Sequence, residues 1–543
     1  MVQDENGYFS LTLRDVYAND LYYYLLPSGE KRGDPASRFQ PEGVFGPSAV
    51  IDPNFAWSDS SWRGIGEKEL IFYECHVGTF SQSGTFEGLI EKIPYLKNLG
   101  ITCLELMPVA QFSGRWNWGY DGVYLFAPQN TYGTPDQLKR LVNRCHEEGI
   151  AVCLDTVYNH FGPEGCFLRE FGPYHTHRYK TPWGDAINFD GPLSDEVRRY
   201  FLTNALYWIH EYHIDALRLD ALHAIYDFSA IPFLDELSQA VKKTGQELNR
   251  QIHLIGESDL NDSRMLRSST LDALWNEDYH HALHVTLTRE RQNYYCDYHG
   301  MKDLHKALEG GMVYQGEYSS FRKRRHGNSF QGIEREKYVL FLQNHDQIGN
   351  RPKSDRLSAT LSFDMEKAAA LFLLLSPSPP LLFMGQEYGE KAPFAYFVDY
   401  ADEALYSAVY NGRNEEYELP LHEIPERESL FFASKLTWEA QAPLLSLYKK
   451  LIALRKTLRF GKPHVDSTET AILCNYGSFG MLCNFGTTPL TFTFPIEKIL
   501  LHTDEKEFGG KEELRFQEKT LYLPAACGVL AALRTDCATC FRA

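Results

Sequence analysis

The sequence predicts an α/β protein: a (β/α)8 TIM barrel with an insertion after its third strand, a short β domain before it and an antiparallel β domain after it. Three observations carry this reading. Eight apolar runs alternate with amphipathic helical segments between residues 67 and 460, as parallel strands covered on both faces should. Acidic residues stand at the ends of those runs: Asp155, Asp220, Glu257 and Asp346. The flanking segments, 1–66 and 461–543, instead alternate with period two between turn signals.

Taken in order, residues 1–66 contain YFSLTL and LYYYLL with a turn at PSGEKRGDP and no helical periodicity. The strands are placed at 70–78, 102–109, 151–157, 216–220, 253–258, 273–279, 338–344 and 381–387. Helices fill the gaps, and two of them, FEGLIEKIPYLKNLG and PDQLKRLVNRCHEEG, end in the glycine that stops a helix. A polar, aromatic insertion at 158–193 separates the third strand from its helix and should shape a cleft. A helix over 443–458 closes the barrel, and TAILCNYG, GMLCNFG, PLTFTF and KTLYLP form the terminal β domain.

Composition narrows the function. A chain of 543 residues exceeds one ordinary core, so two or three domains are expected. The net charge of −18, with no basic domain, argues against a nucleic-acid partner, and the run Arg322–Arg325 is expected to be a solvated loop. Eleven cysteines lack paired spacing and several, such as Cys103 and Cys153, sit in apolar strands; they read as reduced core residues of a cytoplasmic protein. Cys537 and Cys540 have CxxC spacing but no strand–helix frame, and take no metal or redox role. The polar start MVQDENGYFS is not a signal segment, and no run approaches the roughly 18 apolar residues of a membrane span.

The carboxylates carry the chemistry. An unpaired buried charge costs several kcal/mol, so acidic residues closing apolar strands need a reason. A single one caps a helix or pairs with a base as readily as it catalyses; four at successive strand ends, with Arg or His beside three of them, fit an active site at one mouth of a barrel. Acetal hydrolysis needs one neutral and one ionised carboxyl. Asp220 is the expected nucleophile, because Arg218 lies two residues earlier on the same strand face and can keep it charged. Glu257, preceded by the desolvating LIG, is the expected proton donor, and Asp346 the group that favours the cationic transition state. His160 and His345 are placed to bind ring hydroxyls.

Four blocks, DTVYNH (155–160), ALRLDALH (216–223), GESDL (256–260) and QNHDQ (343–347), resemble the signature blocks of the α-amylase superfamily, glycoside hydrolase family 13. Within it, DPASRFQPEGVFGPS (34–48), YECHVGTF (73–80), WGYDGVYLFAP (118–128), TPWGDAIN (181–188), ESDLND (257–262) and FMGQEYGE (383–390) are similar to the maltooligosyltrehalose trehalohydrolases. The resemblance implies retaining hydrolysis through a covalent glycosyl–enzyme, at the α-1,4 bond joining a glucan chain to terminal trehalose. It implies a pathway link to a maltooligosyltrehalose synthase. It implies that Tyr120 stacks beneath the sugar, that Asp155 and His160 line the same subsite, that Arg218, Asp220, Glu257, His345 and Asp346 form the catalytic group, and that His223 contacts substrate beside it. Phe171, Tyr174 and Trp183 in the insertion read equally as sugar platforms or as loop packing. Where many amylases have Lys-His after the nucleophile, this chain reads His223-Ala224, so no structural calcium is expected, nor any other metal or cofactor. Relatives begin with a complete β-sandwich, of which residues 1–66 resemble a remnant. The rival readings are a branching enzyme or other transglycosylase of the same superfamily, and a non-catalytic glucan-binding barrel.

Overall fold

A computed structural model describes residues 1–5, 7–417, 427–493 and 495–534. Eight parallel strands close into a barrel in chain order: β1 Phe72–Cys75, β2 Cys103–Leu106, β3 Ala151–Thr156, β4 Ala216–Leu219, β5 His253–Gly256, β6 Ala273–Trp275, β7 Tyr338–Phe341 and β8 Pro380–Phe383, which pairs back onto β1. Each predicted strand is present but shorter. The run 273–279 is split, because Asn276 caps a helix, Glu277–Thr288, by accepting from the Tyr279 N–H.

The two faces of the strands explain the continuous apolar runs. Phe72, Cys103, Cys153, Ala216, Ile255, Ala273, Val339, Phe341 and Leu381 fill the barrel interior, with Trp62 and Ile65 packed beneath them. The opposite faces join the helices in the main core. The helix Pro135–Glu147 shows the local logic: Thr134 and Gln137 form a capping box at its start, with Pro135 beside them. The helix Ser194–Glu211 follows the insertion, which folds as a hairpin of His175–Thr181 against Gly184–Ile187. The longest apolar stretch is the helix Phe363–Leu374 followed by β8; it is buried on nearly every side because the C-terminal domain covers its outer face. Phe372 meets Phe485 edge-on at 5.5 Å there, and Lys367 donates to the Thr503 carbonyl at 2.9 Å.

The C-terminal domain packs two antiparallel sheets. With β9 His464–Ser467, β10 Ala471–Asn475, β11 Phe479–Asn484, β12 Leu490–Thr493, β13 Ile496–His502, β14 Arg515–Gln517, β15 Thr520–Leu523 and β16 Cys527–Leu533, the orders are β9-β10-β11-β16-β13 and β12-β15-β14. Cys537 and Cys540 lie outside the described residues. Before the barrel, three antiparallel pairs of two-residue strands form: Val2–Gln3 with Phe9–Ser10, Leu21–Tyr22 with Ser48–Ala49, and Tyr24–Leu25 with Lys31–Arg32. They leave Phe9, Leu11, Leu13 and Leu25 exposed and are held to the barrel by contacts such as Tyr200 to the Pro35 carbonyl at 2.9 Å. Among the described residues no helix is long and apolar enough to cross a membrane.

Candidate active site

The site is assembled at the carboxyl ends of the strands around one guanidinium. Arg218, on β4, has a side chain only 2% exposed, with Trp275 of β6 4.3 Å beneath its plane. Its Nη1 donates to both oxygens of Asp155 at 2.8 and 2.9 Å and to Asp220 at 2.8 Å, while Nη2 lies 3.5 Å from Glu257. Asp155 and Arg218 are direct neighbours in the β3–β4 register, which sets the first pair by backbone alone. Because Asp220 and Glu257 share one planar fork, their nearest oxygens are within about 9 Å of each other.

Local backbone sharpens this. Asn159 donates to Asp220 Oδ2 at 2.8 Å, so each oxygen of that carboxylate has a donor. Ala221, immediately after it, sits in the left-handed region (φ 41°), a costly conformation for alanine. The turn points the Ala221 N–H at Glu257 Oε2, 2.6 Å away. Burial raises the Glu257 pKa, opposed by Arg218 and reinforced by the nearby Asp220 charge; the net direction is upward. Burial likewise raises Asp155, to about 6 even with Arg218 in contact.

Tyr120 is delivered by the loop after β2. Gly119 has φ 109°, and an added Cβ would lie 2.1 Å from the Pro108 carbonyl oxygen, so only glycine allows the chain to turn here. Tyr120 donates to Asp155 at 2.6 Å and stacks on His345 at 5.0 Å. His345 opens the short helix His345–Gly349, capped by the Asn344 side chain, which accepts from the Gln347 N–H at 2.8 Å; this presents Asp346 at the rim. Burial alone would strip the His345 proton, but its contact with the buried Glu74 of β1 outweighs that and raises its pKa. Asp346 accepts from Asn350 at 2.8 Å. His160 is buried, bonded to Asn159, and stacked at 4.6 Å on Trp183 at the hairpin turn, which is 47% exposed.

Asp155, His160, Trp183, Arg218, Asp220, Glu257, Tyr120, His345 and Asp346 are therefore linked through a continuous set of contacts or adjacent positions. His223 joins from the side, its Nδ1 accepting from the Asp259 N–H at 3.2 Å. Of the other insertion rings, Tyr174 packs edge-on against Tyr200 at 5.2 Å and Phe171 against Tyr24 at 6.2 Å, where the base of the insertion folds against the N-terminal strands. The Arg322–Arg325 run is corrected in part: Arg324 and Arg325 are exposed, but Arg322 is largely buried on Asp259.

Several functional-looking residues escaped the sequence reading. Glu74 and Glu105 face each other across β1 and β2 inside the barrel, beneath Arg218 and Asp155. Both Glu105 oxygens are buried without a partner, and burial, then the Glu74 and Asp155 charges, push its pKa well up. Glu277, first in the helix after β6, is raised too by burial and by the Glu257, Asp259 and Asp346 charges. A glutamate two residues into an apolar run is the signal that could have found the first two. Among the described residues no group of three or more His, Cys, Asp or Glu side chains is arranged to hold a metal ion.

A closed parallel barrel whose carboxyl mouth gathers an aspartate, a desolvated glutamate and a buried arginine defines a glycoside hydrolase of the α-amylase class, and the alpha amylase catalytic-domain family matches residues 54–181. The malto-oligosyltrehalose trehalohydrolase of Saccharolobus solfataricus is 46% identical over 84% of this chain and 81% of its own. That of Arthrobacter ramosus is 41% identical over 86% of this chain and 85% of its own. The crystal structure of a candidate alpha amylase from Salmonella typhimurium superposes with a TM-score of 0.90 at 35% identity, covering 98% of this chain and 94% of that one. The chain belongs to the malto-oligosyltrehalose trehalohydrolase family.

Proposed function

We propose that this enzyme hydrolyses the α-1,4-glucosidic bond next to the terminal trehalose of a maltooligosyltrehalose, with retention of configuration, and releases trehalose. The observation that carries the mechanism is the single Arg218 fork holding Asp220 and Glu257 in different environments. Asp220, with a donor on each oxygen, attacks the anomeric carbon. Glu257, its pKa raised by burial, protonates the glycosidic oxygen, so the trehalose unit departs as a neutral alcohol. Formation of the glycosyl ester removes the Asp220 charge, which lowers the proton affinity of Glu257 and turns it into the base that activates water. Asp346 and Asp155 favour the oxocarbenium-like transition state and bind sugar hydroxyls, and Tyr120 forms the floor. Trp183 offers an exposed ring at the rim.

The relatives' names support the trehalose specificity, and a maltooligosyltrehalose synthase is the matching supplier of substrate. Nine cysteines among the described residues are free, which suits a reducing, cytoplasmic setting. The test is product analysis on a maltooligosyltrehalose of defined length. Equimolar trehalose and a maltooligosaccharide two glucose units shorter are expected. New branch points from amylose without trehalose release would reassign the chain to a transglycosylase.

A further inference from the structure

We propose that the amino end of the barrel carries a second, non-catalytic site for a short, neutral glucose oligosaccharide; only the choice of sugar rests on the hydrolytic reading above. A cavity of about 500 Å³ opens there, where the barrel meets the C-terminal domain, a size that accepts a small molecule. Its walls come from the segments leading into β1, β7 and β8, from the end of the helix Met301–Gly310, and from residues 460–462 before β9. The parallel strands run from this end toward Asp220 and Glu257, so the cavity lies on the face opposite the catalytic mouth. Two polar groups at this wall have no hydrogen-bond partner among the described residues. Arg335 donates from Nη2 to the Glu309 carbonyl, but its Nη1 is buried and unmet, and so is the Tyr338 hydroxyl. Both abut Gly311, where an added Cβ would lie 2.3 Å from the Tyr338 oxygen and 3.1 Å from Arg335 Nη1. Arg335 itself lines the cavity, so a small turn of its guanidinium offers Nη1 to an occupant. Leaving such groups unmet is unfavourable in a folded chain unless a ligand takes them.

The walls are fixed before any ligand arrives. Arg455 donates to the carbonyls of Leu374 at 2.9 Å and Ser378 at 2.8 Å, which holds the rim at Pro377, and its guanidinium lies 5.3 Å from the centre of the Phe460 ring. Gln315 accepts from the Phe330 N–H at 3.0 Å and donates to the Met312 carbonyl at 2.8 Å, while Arg267 donates to the Gln331 carbonyl at 2.8 Å. Charge decides the class of ligand. Three cations, Lys68, Arg335 and Lys462, stand against three carboxylates, Glu309, Glu334 and Glu336, and Lys68 already pairs with Glu336 at 3.1 Å. An ion of either sign meets as much repulsion as attraction there. A neutral polyol instead offers hydroxyl acceptors to the cations and hydroxyl donors to the carboxylates. The half-buried Phe460 ring adds an apolar surface against which the carbon face of a pyranose packs.

The test is equilibrium dialysis of labelled trehalose and labelled maltotriose against the full chain bearing Asp220→Asn, so that neither sugar is consumed. Gly461 lines the cavity and an added Cβ there meets nothing within 4 Å, so Gly461→Trp fills the space without disturbing its surroundings. Added to that chain, it is expected to remove a single bound sugar per chain. Arg335→Met should weaken the same site roughly 10-fold, the scale of one charged hydrogen bond, and Gly461→Trp decides the matter if the arginine variant does not fold. Loss of maltotriose marks a glucan site and loss of trehalose a product site; either supports the proposal. In the otherwise unmodified enzyme, Gly461→Trp should leave kcat/KM on maltooligosyltrehalose within about 2-fold, because the catalytic mouth is remote. Binding of both sugars unchanged by Gly461→Trp overturns the proposal, as does displacement of the bound sugar by inorganic phosphate, which would make this an anion site. Failure of the hydrolytic reading is distinct: the unmodified enzyme would release no trehalose while the cavity still bound sugar.

Discussion

Replacing Arg218 by methionine tests the architecture of the site most severely. Its guanidinium contacts three carboxylate oxygens within 2.9 Å and a fourth at 3.5 Å. Unit charges about 4 Å apart interact by about 4 kcal/mol at an effective dielectric near 20, and removing one partner of a buried pair typically costs about 3–5 kcal/mol. We expect a stability loss on that order at pH 7, read from urea melts. The sign of its pH dependence is set by the orphaned carboxylates. Asp155 is already raised to about 6 with Arg218 present. Without the cation it rises further, so the loss shrinks as acid protonates the unpaired groups. Since one pKa unit corresponds to about 1.4 kcal/mol, even a third of the lost interaction moves the acid limb of the kcat/KM profile up by about one pH unit. A variant whose profile overlays the parent's, or whose stability deficit grows on acidification, would refute the reasoning.

Further expectations follow from individual contacts. Asp220→Asn should abolish turnover with little change in Tm, since it is nearly isosteric; turnover at the parent rate would remove Asp220 from the mechanism. Glu257→Gln should lose about 10²- to 10⁴-fold on maltooligosyltrehalose but much less on a substrate with a good leaving group, and equal losses would contradict the proton-donor role. Glu74→Gln should destabilise the fold most below the ordinary histidine pKa of 6.5, because the raised His345 pKa gives stability that is present there and fades as pH climbs through the folded value; a Tm difference that widens toward pH 9 would be inconsistent. Trp183→Ala should raise KM roughly 10-fold at unchanged Tm, as loss of an exposed stacking ring at the rim should.

The legible parts of this molecule were those dictated by short-range pattern. Continuous apolar strands, glycine-ended helices and acidic strand ends placed the barrel and the carboxylates Asp155, Asp220, Glu257 and Asp346. Arg218 was legible because residues two apart share a strand face. What escaped depends on contacts between distant segments. Glu74 and Glu105 look like ordinary polar breaks in apolar runs until barrel closure sets them against each other. Tyr174 and Trp183 lie nine positions apart in one insertion, and only the hairpin's packing decides that one faces Tyr200 and the other His160. Arg322 belongs to a basic run whose last two members are solvated; its own burial comes from a loop anchored by Asp297 and an acidic partner 63 residues away.

The most direct measurement is to trap the intermediate. A fluorinated maltooligosyl fluoride that forms the glycosyl ester but hydrolyses it slowly, followed by peptide mass spectrometry, should place the sugar on Asp220 in the peptide that also carries Arg218. Label on any other carboxylate, or a product of inverted anomeric configuration with no label at all, would contradict the account.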